Sequence, residues 1–120
     1  MRRPERVADT LREEITQIVG YQLEDPRVAM VTVTDVRVSD DLRDASVYVT
    51  IAGDESESLT AMIALRHAAP YVRRQLGFAL SLRHTPELHF VRDTVAEQGA
   101  RVDELLHTLE SQRAVEGKEE

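Results

Sequence analysis

Residues 64–77 read "ALRHAAPYVRRQLG", and the fold turns on how this stretch is read. The pattern is helical on both sides of Pro70, with arginines on either flank. Proline has no N–H to bond the carbonyl of Arg66, and its ring crowds that carbonyl. Ala69, just before it, is pushed toward extended dihedrals. The stretch is therefore predicted to form two helices meeting at a sharp bend, with Pro70 opening the second. Such a bend would present backbone N–H groups at a helix N-terminus, a favourable place for phosphate. Arg66, Arg73 and Arg74 lie within one or two turns of it, and Ala68 and Ala69 are small enough to let another backbone approach. The same residues also describe two packed helices with an ordinary solvated arginine face, so the local pattern leaves both readings open.

Working outward, residues 4–24 show Val7, Leu11, Ile15 and Ile18 at helical spacing, widened by Ala8, Val19 and Leu23. Pro4 suits a first turn and Pro26 ends the run. Residues 30–39, "MVTVTDVRVS", alternate as a strand, but Val31 and Val33 are out of phase with Val36 and Val38. That slip predicts a β-bulge at Thr34–Asp35. Residues 44–51, "DASVYVTI", alternate cleanly, and the short "DDLR" linker predicts an antiparallel hairpin. A helix with Leu59, Met62, Ile63 and Leu65 on its apolar side runs to Ala69, and its continuation after Pro70 is expected to stop at Gly77. A third strand is expected within residues 79–92, with Pro86 marking an edge position or a bend at its start. "TVAE", from Thr94 to Glu97, matches a capping box. It precedes a last short helix with Val102, Leu105, Leu106 and Leu109 as its stripe. Residues 1–110 are thus expected to form one domain, and 111–120 a disordered acidic tail. The class is α+β, with helices covering one face of a small three-stranded sheet.

Composition narrows the chemistry. The 120 residues include no cysteine, which excludes disulfides, thiolate metal sites and a cysteine nucleophile. No apolar run reaches membrane-spanning length and "MRRPERVADT" lacks a signal-peptide centre, so the expected location is cytoplasmic. The net charge of −7 is uneven. Residues 66–92 hold five arginines against one acid, a local +4, whereas 93–120 hold eight acids against three bases, a local −5. Screening lets a basic segment act locally despite an acidic tail. His67, His84, His89 and His107 show no metal-ligand spacing, so no metal and no cofactor are expected. "SDD" at residues 39–41 reads as hairpin turn and "GDESE" at 53–57 as a helix cap. No nucleophile elbow, Walker loop or dinucleotide fingerprint occurs.

Three stretches together resemble the ribosome-binding factor A family: "RVADTLREEI" in the first helix, "DPRVAMVTVTDVRVSDDLRDASVYVT" through the hairpin, and "LGFALSLRHTPELHFVRD" into the last strand. The similarity spans roughly residues 3–109 and continues weakly in "GARVDELLHTLE". The resemblance implies a KH-like fold of the second type, in the order α-β-β-α-α-β with a kinked helix pair. It implies no enzymatic activity, binding to the free small ribosomal subunit and its rRNA, a role in late subunit maturation including 5′-end processing of 16S rRNA, and a link to growth in the cold. The family carries an Ala-x-Gly kink between its helices where other KH domains have a Gly-x-x-Gly loop. This chain has Ala68, Ala69 and Pro70 there, so it has no amide N–H at the position of the family's glycine.

The residues expected to touch RNA phosphates are Arg3, Arg6, Arg66, Arg73, Arg74 and Arg83. The expected assembly state is a monomer. A second class of function is a protein-interaction module, in which the hairpin edge or the 102–109 stripe meets a basic ribosomal protein or another assembly factor. A small enzyme has no positive support in the sequence.

Overall fold

The computed structural model describes residues 4–99. Helix α1 runs from Pro4 to Gln17 and continues as a π-helical turn, Ile18–Gln22, closed by the Leu23 N–H on the Ile18 carbonyl at 3.1 Å. The wider turn lets Ile18 and Val19 both face inward, in line with Ala8, Leu11 and Ile15. Asp25 then caps a 3₁₀ turn over Pro26–Val28 by accepting the Arg27 N–H.

Strands β1 (Val31–Val38) and β2 (Asp44–Ile51) form the antiparallel hairpin, and β3 (Glu87–Arg92) lies parallel to β2, giving the order β1-β2-β3. The register shifts between Val33 and Asp35, where the alternation in the sequence slips. The extra residue returns Val36 to the covered side, where it is buried. In β2, Ala45, Val47, Val49 and Ile51 are all buried, and in β3 Leu88 and Phe90 join them. Helix α1 and helix α2 (Glu55–Leu80) contribute the other half of this single core. The fold is α+β with a three-stranded mixed sheet, and residues 94–99 turn into a further helical segment.

The structure corrects four expectations. Helix α2 is one assignment, Glu55–Leu80, with Pro70 inside it, rather than two helices opened by Pro70. A proline in a helix interior costs about 3 kcal/mol, but Leu65, Val72 and Leu76 on either side are fully buried and hold both halves against the sheet. The buried stripe of α2 is Ser58, Ala61, Met62 and Leu65, whereas Leu59 and Ile63 are 55% and 51% exposed. The small side chains of Ser58, Ala61 and Ala64 are all on the buried face. Gly77 does not stop the helix. It ends at Ser81, which takes the left-handed conformation (φ 52°). Finally, Asp93 rather than Thr94 caps the next helical segment, its carboxylate accepting the Ala96 N–H at 2.9 Å. Arg3, the 102–109 stripe and the 111–120 tail lie outside the described residues.

Candidate nucleic-acid interface

The second half of α2 and the loop after it build a groove. One wall is Pro70, Arg73, Arg74, Gly77 and Phe78 on the helix; the other is Leu82, Arg83, His84 and Thr85 in the loop. Its volume is about 570 Å³, and among the described residues no acidic side chain lines it.

Two local features hold the walls together. Arg73 donates from Nε and Nη2 to the Thr85 carbonyl, at 3.1 and 2.8 Å. Gly77 supplies clearance, since a Cβ there would sit 2.7 Å from Thr85 Oγ1. The Leu82 N–H bonds back to the Gly77 carbonyl at 3.0 Å, which fixes the turn out of the helix. The loop therefore lies on α2 because a glycine admits it and an arginine clamps it. Pro86 is buried and leads directly into β3, which is an edge strand as its proline suggested.

Of the expected RNA-contacting residues, Arg73, Arg74 and Arg83 come together in this groove. Arg73 spends two of its donors on the loop, so its first role is positional. Arg6 is exposed on α1 and lines an adjoining groove with Val7, Thr10, Leu11, Leu80 and Leu82; Leu82 is common to both. Arg66 is exposed one turn before Pro70 and lines neither groove. Ala68 and Ala69 are half-buried, and Pro70 is exposed at the rim. Because α2 is continuous, no new helix N-terminus opens at Pro70. The true N-terminus of α2 is sealed by Asp54, whose carboxylate accepts the Glu57 N–H at 2.7 Å, and carries Glu55 and Glu57 in its first turn. That end repels phosphate, so cationic side chains rather than helix amides make the anion-attracting surface.

Sequence reading missed Phe78 and the spacing role of Gly77. Phe78 is 74% exposed: it lies two residues beyond buried Leu76 and so on the side of the helix away from the buried stripe. Its position four residues after Arg74 was the available signal.

Other charged groups are committed elsewhere. Arg92 pairs with Glu55 at 2.9 Å and Glu97 at 3.1 Å, and these acids raise its already high pKa. This clamp ties the start of α2 to the segment after β3. Asp93 accepts the Thr34 hydroxyl at 2.6 Å and the Ala96 N–H, which lowers its pKa and anchors that segment to the bulge of β1. On the open face of the sheet, the Arg37 guanidinium lies 5.5 Å from the centre of the Tyr48 ring. Parallel pairing of β2 with β3 also brings Asp44, Glu87 and His89 together, a grouping invisible in sequence spacing. All three are exposed, and His89 Nε2 bonds Asp44 Oδ1 at 2.9 Å.

The comparisons with known proteins agree with this architecture. A family model described as ribosome-binding factor A matches residues 3–106. A ribosome-binding factor A from Solibacter usitatus is 45% identical over 119 residues, covering 99% of this chain and 94% of its own. One from Desulfitobacterium hafniense is 43% identical over 110 residues, covering 92% and 88%. The crystal structure of ribosome-binding factor A from Thermus thermophilus superposes with a TM-score of 0.66 at 29% identity, covering 74% of this chain and 94% of that one. A homology model of the Thermus thermophilus factor, fitted into a cryo-EM map of its complex with 30S, gives 0.59 at 30% identity, covering 70% and 88%. With a matching fold and near full-length similarity, the chain belongs to the ribosome-binding factor A family.

Proposed function

We propose that this protein is a non-catalytic maturation factor of the small ribosomal subunit, acting in the cytoplasm as a monomer. It binds 16S rRNA on free small subunits, supports late assembly and 5′-end processing, and sustains these steps in the cold. The observation that carries this reading is family membership together with the Thermus relative fitted into a 30S complex. The groove of Arg73, Arg74 and Arg83 supplies the chemistry. Guanidinium groups pair with phosphate oxygens through a planar fork, which fixes a rigid protein on an RNA backbone without reading its sequence. Loop 81–86, clamped by Arg73, presents Arg83 opposite Arg74, so a phosphate strand laid along the groove meets cations from both walls. The factor would hold one immature rRNA arrangement and leave when the mature one no longer fits the groove.

Co-sedimentation with free small subunits, large subunits and assembled ribosomes at two salt concentrations tests this. Binding is expected on small subunits alone, weakened by salt and by Arg74→Glu or Arg83→Glu. Failure of the wild-type protein to bind any particle would remove the reading. Binding untouched by either charge reversal would remove the arginine groove as its site. A second reading, a basic protein partner, is favoured by one feature: Glu5, Asp9, Asp35 and Asp40 line a groove between α1 and β1, against one base, Arg37, which pairs with Asp35. Charge reversal at Glu5 and Asp9 that releases the factor from subunits, with the arginine variants still bound, would select it.

A further inference from the structure

Phe78 projects from α2 into solvent, 74% exposed, at a place where the core has no use for it. It shares its groove with Arg73, Arg74, Arg83 and His84. We infer that Phe78 is a stacking platform for one unpaired base of the bound RNA, with Arg74 and Arg83 holding the phosphates on either side of that nucleotide. The inference rests on the proposed rRNA binding and deepens it, naming single-stranded rather than helical RNA as what the groove takes.

The geometry follows from the helix. Arg74 and Phe78 are four residues apart and therefore neighbours on one face. Side chains on a helix lean toward its N-terminus, so the Phe78 ring lies over the turn that carries Arg74. The opposite wall bears Arg83 and His84, and the Arg73–Thr85 bonds keep that wall in place. An aromatic face between cations matches a nucleotide, which is a flat apolar base joined to charged phosphates. A double helix would not use this arrangement, since its bases are stacked on one another and its surface offers phosphate and sugar. Beside Phe78 the lining holds three arginines together with Pro70, Gly77 and Leu82, so the ring has cationic groups next to it rather than the wholly apolar surround that a protein contact favours.

Binding of the full-length wild-type protein, Phe78→Leu and Phe78→Trp is measured on two probes: free small subunits and a single-stranded oligoadenylate. At an exposed helix position neither substitution disturbs packing, and unchanged thermal unfolding checks this. On both probes Phe78→Leu is expected to bind about tenfold more weakly with an unchanged salt slope, because stacking contributes affinity without releasing counterions. Phe78→Trp is expected to bind as well as wild type or better. Arg74→Ala, by contrast, should reduce the single-strand salt slope by about 0.7. Wild-type affinity in Phe78→Leu would overturn the stack while leaving subunit binding intact. Loss with Trp but retention with Leu would assign Phe78 to an apolar protein contact and also overturn it. Wild type binding neither probe would overturn the proposed function and the stack together. Binding of the oligonucleotide through Phe78, without subunit binding, would overturn the function alone.

Discussion

At the scale of single residues, Pro70 works against the element that holds it. It lies inside α2, where it removes one backbone donor from the ladder. Pro70→Ala should restore the bond to the Arg66 carbonyl. The helix gains about 3 kcal/mol and the unfolded chain recovers about 1 kcal/mol of entropy, a net stabilisation of about 2 kcal/mol. Denaturant unfolding reads this directly, and a variant no more stable than wild type would mean that proline is not strained there. Asp25 gives a pH signature. The Arg27 side chain and N–H both donate to its carboxylate, which lowers its pKa to about 2. The folded protein thus keeps Asp25 charged below the pH at which the unfolded chain takes up a proton. Its contribution is present above about pH 4 and is lost as pH falls through about 2. Asp25→Asn should flatten the stability curve within that window and lower stability at neutral pH, where the contribution of the charged carboxylate is fully present.

At the scale of elements, the proposed binding unit is α2 with the loop it carries. The loop lies against the helix through Arg73, which grips one carbonyl with two donors. Arg73→Ala should therefore do more than remove a positive charge. Amide exchange at Leu82 should accelerate, and subunit affinity should fall by more than in Arg74→Ala. Arg73→Lys keeps the charge but has no planar fork, so it should behave like alanine in exchange. If lysine restores full protection, charge alone holds the loop. The same clamp explains why Arg73, expected from sequence to meet RNA, acts first on the architecture of the groove.

Across the whole molecule, a net charge of −7 coexists with a cationic groove. The two act over different ranges. At about 0.01 M salt the Debye length is about 30 Å, and the overall negative charge repels rRNA during approach. At about 0.1 M it falls to about 10 Å, so the distant acids are screened while groove contacts persist. Association with small subunits should then be fastest at intermediate salt, even as equilibrium affinity falls steadily. Stopped-flow measurement of the association rate checks this, and a rate that falls from the lowest salt upward would show that the groove dominates at long range too.

What the sequence determined by itself was the part written in local periodicity. The β2 alternation from Ala45 to Ile51, the slip at Thr34–Asp35 and the α1 stripe through Leu11 and Ile15 all stand in the structure. Each depends only on which face of its own element a residue occupies. The stretches resembling ribosome-binding factor A likewise sufficed to indicate the family. Tertiary structure decided three other matters. It carried α2 across Pro70 as one helix, because buried neighbours on both sides outweighed a local penalty. It rotated α2 so that Leu59 and Ile63 face water while Ser58, Ala61 and Ala64 are buried. It also folded loop 81–86 back onto α2, gathering Arg74, Phe78 and Arg83 from two segments into one groove. Periodicity reports the faces of an element, whereas the partner of each face is set by packing between elements distant in sequence.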